Sequence, residues 1–198
     1  MPGKLISGQS NVLINNAVDL SGTGTPEWSV SAAPGSTWLQ TDSTTDVKGW
    51  IKWVKATGTG NTGWVAGPEA DTGWRDVIAD INAAWEGATT TPRLTLKRVG
   101  SRVTLIGRIK RVTASGARSS YSAIYTLPTG FAALSYTTKG MTTALTGLAA
   151  ICSDSVATEI GVARASVAGT WAAGDAVDFE VSWMTDAAWP SSLPGSAI

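Results

Sequence analysis

Histidine is absent from this 198-residue chain and cysteine occurs once, so any chemistry rests on carboxylates, hydroxyls and indoles. Imidazole is the usual general base near neutral pH and the commonest metal ligand, and those roles fall to Asp and Glu or go unfilled. The best remaining chemistry is a carboxylate pair that cleaves a glycosidic bond, in which one acid protonates the leaving oxygen while the other attacks or activates water, and two sets are candidates. They are Asp71 with Asp76, beside Trp74, and Asp175, Asp178 and Glu180 towards the C-terminus. Their neighbours favour a plainer role. Asp71 and Asp175 adjoin turn residues, where carboxylates accept backbone amides, and alternate acids along a strand mark a solvent face. A polysaccharide-degrading enzyme is therefore the third-ranked reading, behind two non-enzymatic ones. The acids match no EF-type calcium loop, and neither a metal nor a cofactor is expected. Cys152 lies in the run Ala149-Ala150-Ile151-Cys152-Ser153, has no disulfide partner in the chain, and reads as a buried thiol.

The indoles are the stronger signal. Of ten tryptophans, Trp28, Trp38, Trp50, Trp53, Trp64 and Trp74 crowd into one Gly/Thr-rich stretch. Burying one indole is worth about 4–6 kcal/mol as an upper bound, so most are expected to anchor a core or a subunit interface. Trp38, Trp64 and Trp74 adjoin turns and carry polar neighbours, and these three are expected to stay available for stacking on a host cell-wall glycan.

Charge narrows the partners. Only 15% of residues are charged, and 15 Lys+Arg balance 15 Asp+Glu. A neutral, hydroxyl-rich surface argues against nucleic acid. The basic run Arg108, Lys110 and Arg111, with Arg98 and Arg102, has no interleaved aromatics and is expected to be a solvated strand face. No apolar run reaches about 18 residues, so no membrane insertion is expected. The opening MPGKLISGQSNVLINN has no signal-peptide core, and the chain is expected to be made and folded in the cytoplasm.

These residues must be held by an all-β framework with at most one short helix. Residues 1–25 read as an extended attachment arm, with Val12, Leu13 and Ile14 as the docking residues and the loose SGTGT at 21–25 as a linker. Residues 26–75 read as a small Trp/Gly-rich β module. In its segment 50–55, period-two geometry places Trp50, Lys52 and Val54 on one face and Ile51, Trp53 and Lys55 on the other. Indoles on both faces imply cover from a second copy or the next domain. Residues 76–92 are a connector, where Val77, Ile78, Ile81 and Trp85 have helical spacing and Gly87 would stop a short helix, with an irregular strand as the alternative. Residues 93–198 are expected to form an antiparallel β-sandwich of jelly-roll type. Its clearest hairpin joins 94–99 to 102–109 through Gly100-Ser101, with Val103, Leu105 and Ile109 on one face. Further strands are expected at 122–127, 142–151, 159–167 and 176–184. The Pro-rich 189–195 should lie across the surface as an extended strap.

The stretch PGSTWLQTDSTTDVKGWIKWVKATGTGNTGWV at 34–65 resembles the glycine-turn modules of virion surface proteins of tailed bacteriophages, especially those of actinobacterial hosts. DTGWRDV at 71–77, LKRVGSRVTLIGRI at 96–109, LPTGF at 127–131 and WPSSLPG at 189–195 are similar to segments of the same proteins. The resemblance implies a homotrimer at the virion surface, touching other tail or capsid proteins. Within it, the leading expectation is a non-enzymatic tail-fibre or receptor-binding protein that displays a β domain for host attachment. The alternative is a capsid decoration protein or head fibre docked on the shell through its N-terminal arm.

Overall fold

A computed structural model describes residues 16–88, 94–114, 120–134, 138–144, 147–153, 158–163 and 169–198. The chain is all-β, and its one helical element among those residues is a 3-10 turn at Ile78–Asp80. It divides into two compact units between Ala70 and Asp71. The arm residues Val12, Leu13 and Ile14 lie outside the described residues.

The first unit holds β1 (Asp19–Gly22), β2 (Thr37–Gln40), β3 (Ile51–Lys55) and β4 (Trp64–Ala66), hydrogen-bonded in that order. β1 runs parallel to β2, and the remaining pairs are antiparallel. The expected linker therefore begins inside a strand. Gly22 is in that strand because a Cβ there would lie 2.4 Å from the Trp38 ring. Alternation along β3 is as the sequence implies, with Ile51, Trp53 and Lys55 buried and Lys52 exposed. Register places Trp38 opposite Trp53 and Lys55 opposite Trp64. Each of these indoles donates its N–H to an oxygen at the edge of the layer: Trp38 to the Gly24 carbonyl at 3.1 Å, Trp53 to Gln40 Oε1 at 3.0 Å, and Trp64 to the Val30 carbonyl at 2.9 Å. The segment before β2 is thereby fixed as the roof of this core.

The second unit contains β5 (Arg75–Asp76), β6 (Trp85–Gly87), β7 (Leu94–Val99), β8 (Arg102–Arg111), β9 (Ser122–Thr126), β10 (Thr138–Ala144), β11 (Gly147–Ser153), β12 (Glu159–Ala163), β13 (Ala176–Met184) and β14 (Ser196–Ala197). Strand pairs nest: β8 with β13, β9 with β12, β10 with β11, and β10 also borders β13. Nested antiparallel pairs are the winding of a jelly roll, so the sandwich-like architecture is of the expected kind. β8 carries β7 along its first half and β6 along its second, on the same edge. Ile81 bridges Tyr125 of β9, and the Asn82 N–H reaches the Ile124 carbonyl at 2.8 Å, so residues 81–87 link the end strand β9 to β8 in the interior of the sheet. Val103, Leu105 and Ile109 are buried together with Leu94, Leu96, Ile124, Val177 and Trp183.

Several expectations are corrected. Residues 76–85 do not form an α-helix. Two of their amides are taken by side chains, the Ile78 N–H by Asp76 Oδ1 and the Ala84 N–H by Asn82 Oδ1, both at 3.0 Å, and those of Val77 and Asn82 by the Leu94 and Ile124 carbonyls, which leaves only the 3-10 turn before β6. Gly87 is a strand residue rather than a stop. The expected connector is thus part of the second unit, whose start precedes β5. The single strand expected at 142–151 is a hairpin, with Ala144 opposite Gly147. Cys152 lies in β11, its backbone paired with Gly161 and Thr138.

The basic run is not one solvated face. Strand alternation turns Arg102 and Arg108 outward, Arg108 to Asp178 at 3.1 Å, while Arg111 is buried with its guanidinium 4.9 Å over the Trp85 ring. Lys110 pairs with Glu86 at 3.1 Å. Arg98 is also buried. Its Nε donates to the Gly100 carbonyl at 2.7 Å, Nη1 to Gly130 and to Ala188 at 2.9 Å, and Nη2 to Ala187 at 2.9 Å, with the Trp189 ring 5.0 Å away. Burial lowers its pKa to about 10, so it remains a cation at neutral pH. Among the described residues no carboxylate pairs with it. Carbonyl dipoles solvate the charge instead, and the arrangement fastens the C-terminal strap to the β7–β8 turn.

The strap ends as β14, paired with β5 beyond the prolines. Arg75 Nε and Nη2 hold the Pro194 and Gly195 carbonyls at 3.0 and 2.8 Å. Gly195 has φ +54°, and a Cβ there would lie 1.9 Å from the Asp76 carbonyl.

Arg98→Met keeps bulk but strands four carbonyls, and is expected to cost roughly 3–5 kcal/mol in guanidinium denaturation. A loss under about 0.5 kcal/mol would show that the cage contributes nothing. Gly195→Ala is expected to detach β14, read as faster proteolysis of the C-terminus and faster amide exchange at Asp76.

Candidate functional site

The three indoles expected to face a ligand are not equivalent. Trp64 is buried beneath Val30. Trp38 is half-buried and spends its N–H on Gly24. Trp74 is 37% exposed, but the Lys97 ammonium sits 5.8 Å above its ring and is itself held by Asp71 at 3.0 Å. Trp50 resembles it, 38% exposed with Lys48 at 4.9 Å over the ring. Trp38 and Trp64 serve the first unit's core, and Trp74 belongs to the second unit.

The indole most open to solvent is one the turn-based reading passed over. Trp28 is 74% exposed and has φ +67°, the left-handed region that bulky side chains rarely enter. It lies in a turn closed by the Ser29 and Val30 amides, which both reach the Pro26 carbonyl, at 3.1 and 2.9 Å. Both of its backbone groups are tied to one residue. The Trp28 N–H donates to the Asn61 carbonyl at 2.6 Å, and Asn61 Nδ2 donates to the Trp28 carbonyl at 2.7 Å. The adjacent Glu27 carboxylate accepts the Gly63 and Trp64 N–H groups at 3.2 and 2.8 Å.

The loop that supplies Asn61 is fixed from below. Lys55 is buried, and its ammonium donates to the Gly60 carbonyl at 3.0 Å and to the Thr62 carbonyl, with the Trp64 ring 5.6 Å away. The carbonyls on either side of Asn61 are therefore held by a cation rooted in β3. Gly58, Gly60 and Gly63 have positive φ, and at Gly63 a Cβ would lie 2.4 Å from the Thr57 carbonyl. This is the physical content of the TGTGNTG sequence: it curls carbonyls towards one ammonium.

The carboxylates suggested for glycosidic chemistry do not converge. Asp71 accepts the Gly73 N–H at 2.8 Å and pairs with Lys97. Asp76 caps Ile78, Asp175 accepts the Ala172 N–H at 3.0 Å, and Asp178 pairs with Arg108 on the exposed face of β13. Glu180 is exposed on the same face. Among the described residues no group of three or more His, Cys, Asp or Glu side chains could hold a metal ion. No helix among them is long and apolar enough to cross a membrane. No family model, curated protein or solved structure matches this chain.

Sequence alone carries little signal for Trp28. Thr25-Pro26-Glu27-Trp28-Ser29 reads as a turn, but nothing in it marks a left-handed tryptophan. Strain of this kind costs of order 1–3 kcal/mol and persists where surrounding contacts over-determine it. Lys55→Met is therefore expected to destabilise the first unit by about 1–3 kcal/mol, since it leaves Gly60 and Thr62 carbonyls without their donor. Trp28→Gly, by contrast, should leave the thermal midpoint unchanged or raise it. A clear fall in the midpoint of the Gly variant would mean that Trp28 is a packing residue.

Proposed function

We propose that this chain is a non-enzymatic surface protein of a tailed-bacteriophage particle, of the tail-fibre or receptor-binding type, which displays a β unit for host attachment. The observation that carries the reading is Trp28: a large apolar side chain left in water on strained backbone that several hydrogen bonds over-determine. Exposed indoles lower solubility, and strain lowers stability, so a residue with both liabilities is explained best by what it contacts outside the chain. The scaffold suits such a task. Its charge balance is zero, and the second unit is wound as a jelly roll with its terminus clamped by Arg75 and Arg98. Each acid considered for catalysis except Glu180 has a structural partner, which favours display over hydrolysis. The N-terminal residues Val12, Leu13 and Ile14 would dock the protein on other virion proteins, and three copies would assemble at the particle surface.

The test is made with whole particles and purified protein. Labelled antibody is expected to decorate the tail in electron micrographs, and excess protein to compete with particles for adsorption to host cells. Light scattering at micromolar concentration should give the mass of a trimer. Unlabelled tails, or adsorption indifferent to the added protein, would remove the attachment reading; a single-protomer mass would remove the trimer.

A further inference from the structure

We propose that Trp28 and Asn61 form a binding site for an uncharged sugar unit, with the ring lying on the indole face and a hydroxyl on the Asn61 carboxamide. The inference rests on the attachment reading and adds the ligand class.

The first support is the state of the indole faces. Three tryptophans are exposed, Trp28, Trp50 and Trp74. Lys48 covers Trp50 and Lys97 covers Trp74, whereas among the described residues no cation lies over Trp28. The π face of Trp28 is thus the one left open. Its N–H and carbonyl are both fixed, so the ring is presented from a rigid base and little backbone entropy is lost on binding.

The second support is the polar group beside it. Asn61 is exposed and uses Nδ2 on the Trp28 carbonyl, while Oδ1 accepts no hydrogen bond among the described residues. The amide is oriented by the bond that it makes to the Trp28 carbonyl, so an acceptor stands beside the backbone of the residue that carries the open indole. A pyranose offers the complement: a face of C–H groups and a rim of hydroxyls.

Other ligands fit less well. The one ionic side chain in the turn, Glu27, is occupied by the Gly63 and Trp64 amides, and the nearby Lys55 is buried with its ammonium on carbonyls. Neither can recognise a phosphate or a sulfated polymer. Lipid insertion needs a contiguous apolar patch. Here the chain neighbours of Trp28 in its turn are Thr25, Pro26, Glu27 and Ser29, and its hydrogen-bond partner Asn61 lies between Gly60 and Thr62.

The experiment uses the full chain and a panel of methyl glycosides of glucose, mannose, galactose, arabinose and N-acetylglucosamine, with dextran and mannan as polymers. Heparin and phosphatidylcholine vesicles are the charged and lipid arms. Saturation-transfer NMR and tryptophan fluorescence are read for the wild type, Trp28→Ala, Trp28→Phe, Asn61→Ala and the control Trp50→Ala, each first shown to keep the wild-type circular dichroism. At least one glycoside or neutral polymer is expected to bind saturably, in the millimolar range for a monosaccharide. Affinity should fall at least about tenfold in Trp28→Ala, partly in Trp28→Phe and Asn61→Ala, and stay unchanged in Trp50→Ala. Absence of binding across the neutral panel, binding that survives Trp28→Ala, or Trp28-dependent binding to vesicles or heparin alone would overturn the inference. The two readings fail separately. Sugar binding by a protein that is absent from the particle defeats attachment alone. Loss of adsorption in Trp28→Ala with no sugar bound defeats the ligand class alone.

Discussion

A buried indole N–H or cation must find an acceptor, and in this protein the acceptors are mostly carbonyls of loops. Trp38, Trp64, Trp85 and Trp183 donate to Gly24, Val30, Ala123 and Phe131. Lys55 and Arg98 do the same with their charges. The consequence reaches beyond satisfaction of individual groups. Short strands with glycine-rich connections have little regular structure with which to define a loop, and here the segments that hold Gly24, Val30, Gly60, Gly100, Phe131 and Ala188 are each pinned by a side chain rising from a strand. The rigidity of the surface is thus inherited from the hydrogen-bonding needs of the interior.

The same rule explains how cations come to lie inside a protein so poor in charge. A guanidinium without a carboxylate is costly to bury unless dipoles replace its water. Gly100, Gly130, Ala187 and Ala188 provide that shell, and all four carbonyls lie in turns or strap, where they are not committed to a strand ladder. Arg98 in this way joins chain segments remote in sequence, and the strap gains an anchor that its prolines could not supply through strand pairing. The ammonium of Lys55 plays the corresponding part in the first unit, on a smaller loop.

Trp28 is the exception to the pattern, which is why the functional proposals centre on it. Where Trp38, Trp64, Trp85 and Trp183 spend their N–H groups on backbone carbonyls, at Trp28 the loop organises the indole. Asn61 grips its backbone on both sides, Glu27 ties the turn to the start of β4, and Lys55 steadies the whole from below. A side chain held outward by a chain of contacts that begins in the core is the arrangement expected of a presented group.

Local pattern alone determined the all-β class, the β7–β8 hairpin and the division of β3 into two faces, because strand alternation is a property of neighbouring residues and survives any tertiary context. It also supplied the glycines, whose meaning at Gly22 and Gly195 became visible only once Trp38 and Asp76 were placed against them. Tertiary structure decided the rest. Trp64 and Trp74 share the tripeptide Thr-Gly-Trp, yet one is roofed by Val30 and the other opens to solvent beside Lys97. Residues 76–85 have helical spacing, yet their amides are captured by Asp76 and Asn82 and by the far strand β9. Arg98 reads as one of a basic run, yet its acceptors arrive from segments as distant as Ala188. Periodicity fixes which side chains share a face. Which face is covered, and which indole stays in water, depends on segments far along the chain that only folding brings near.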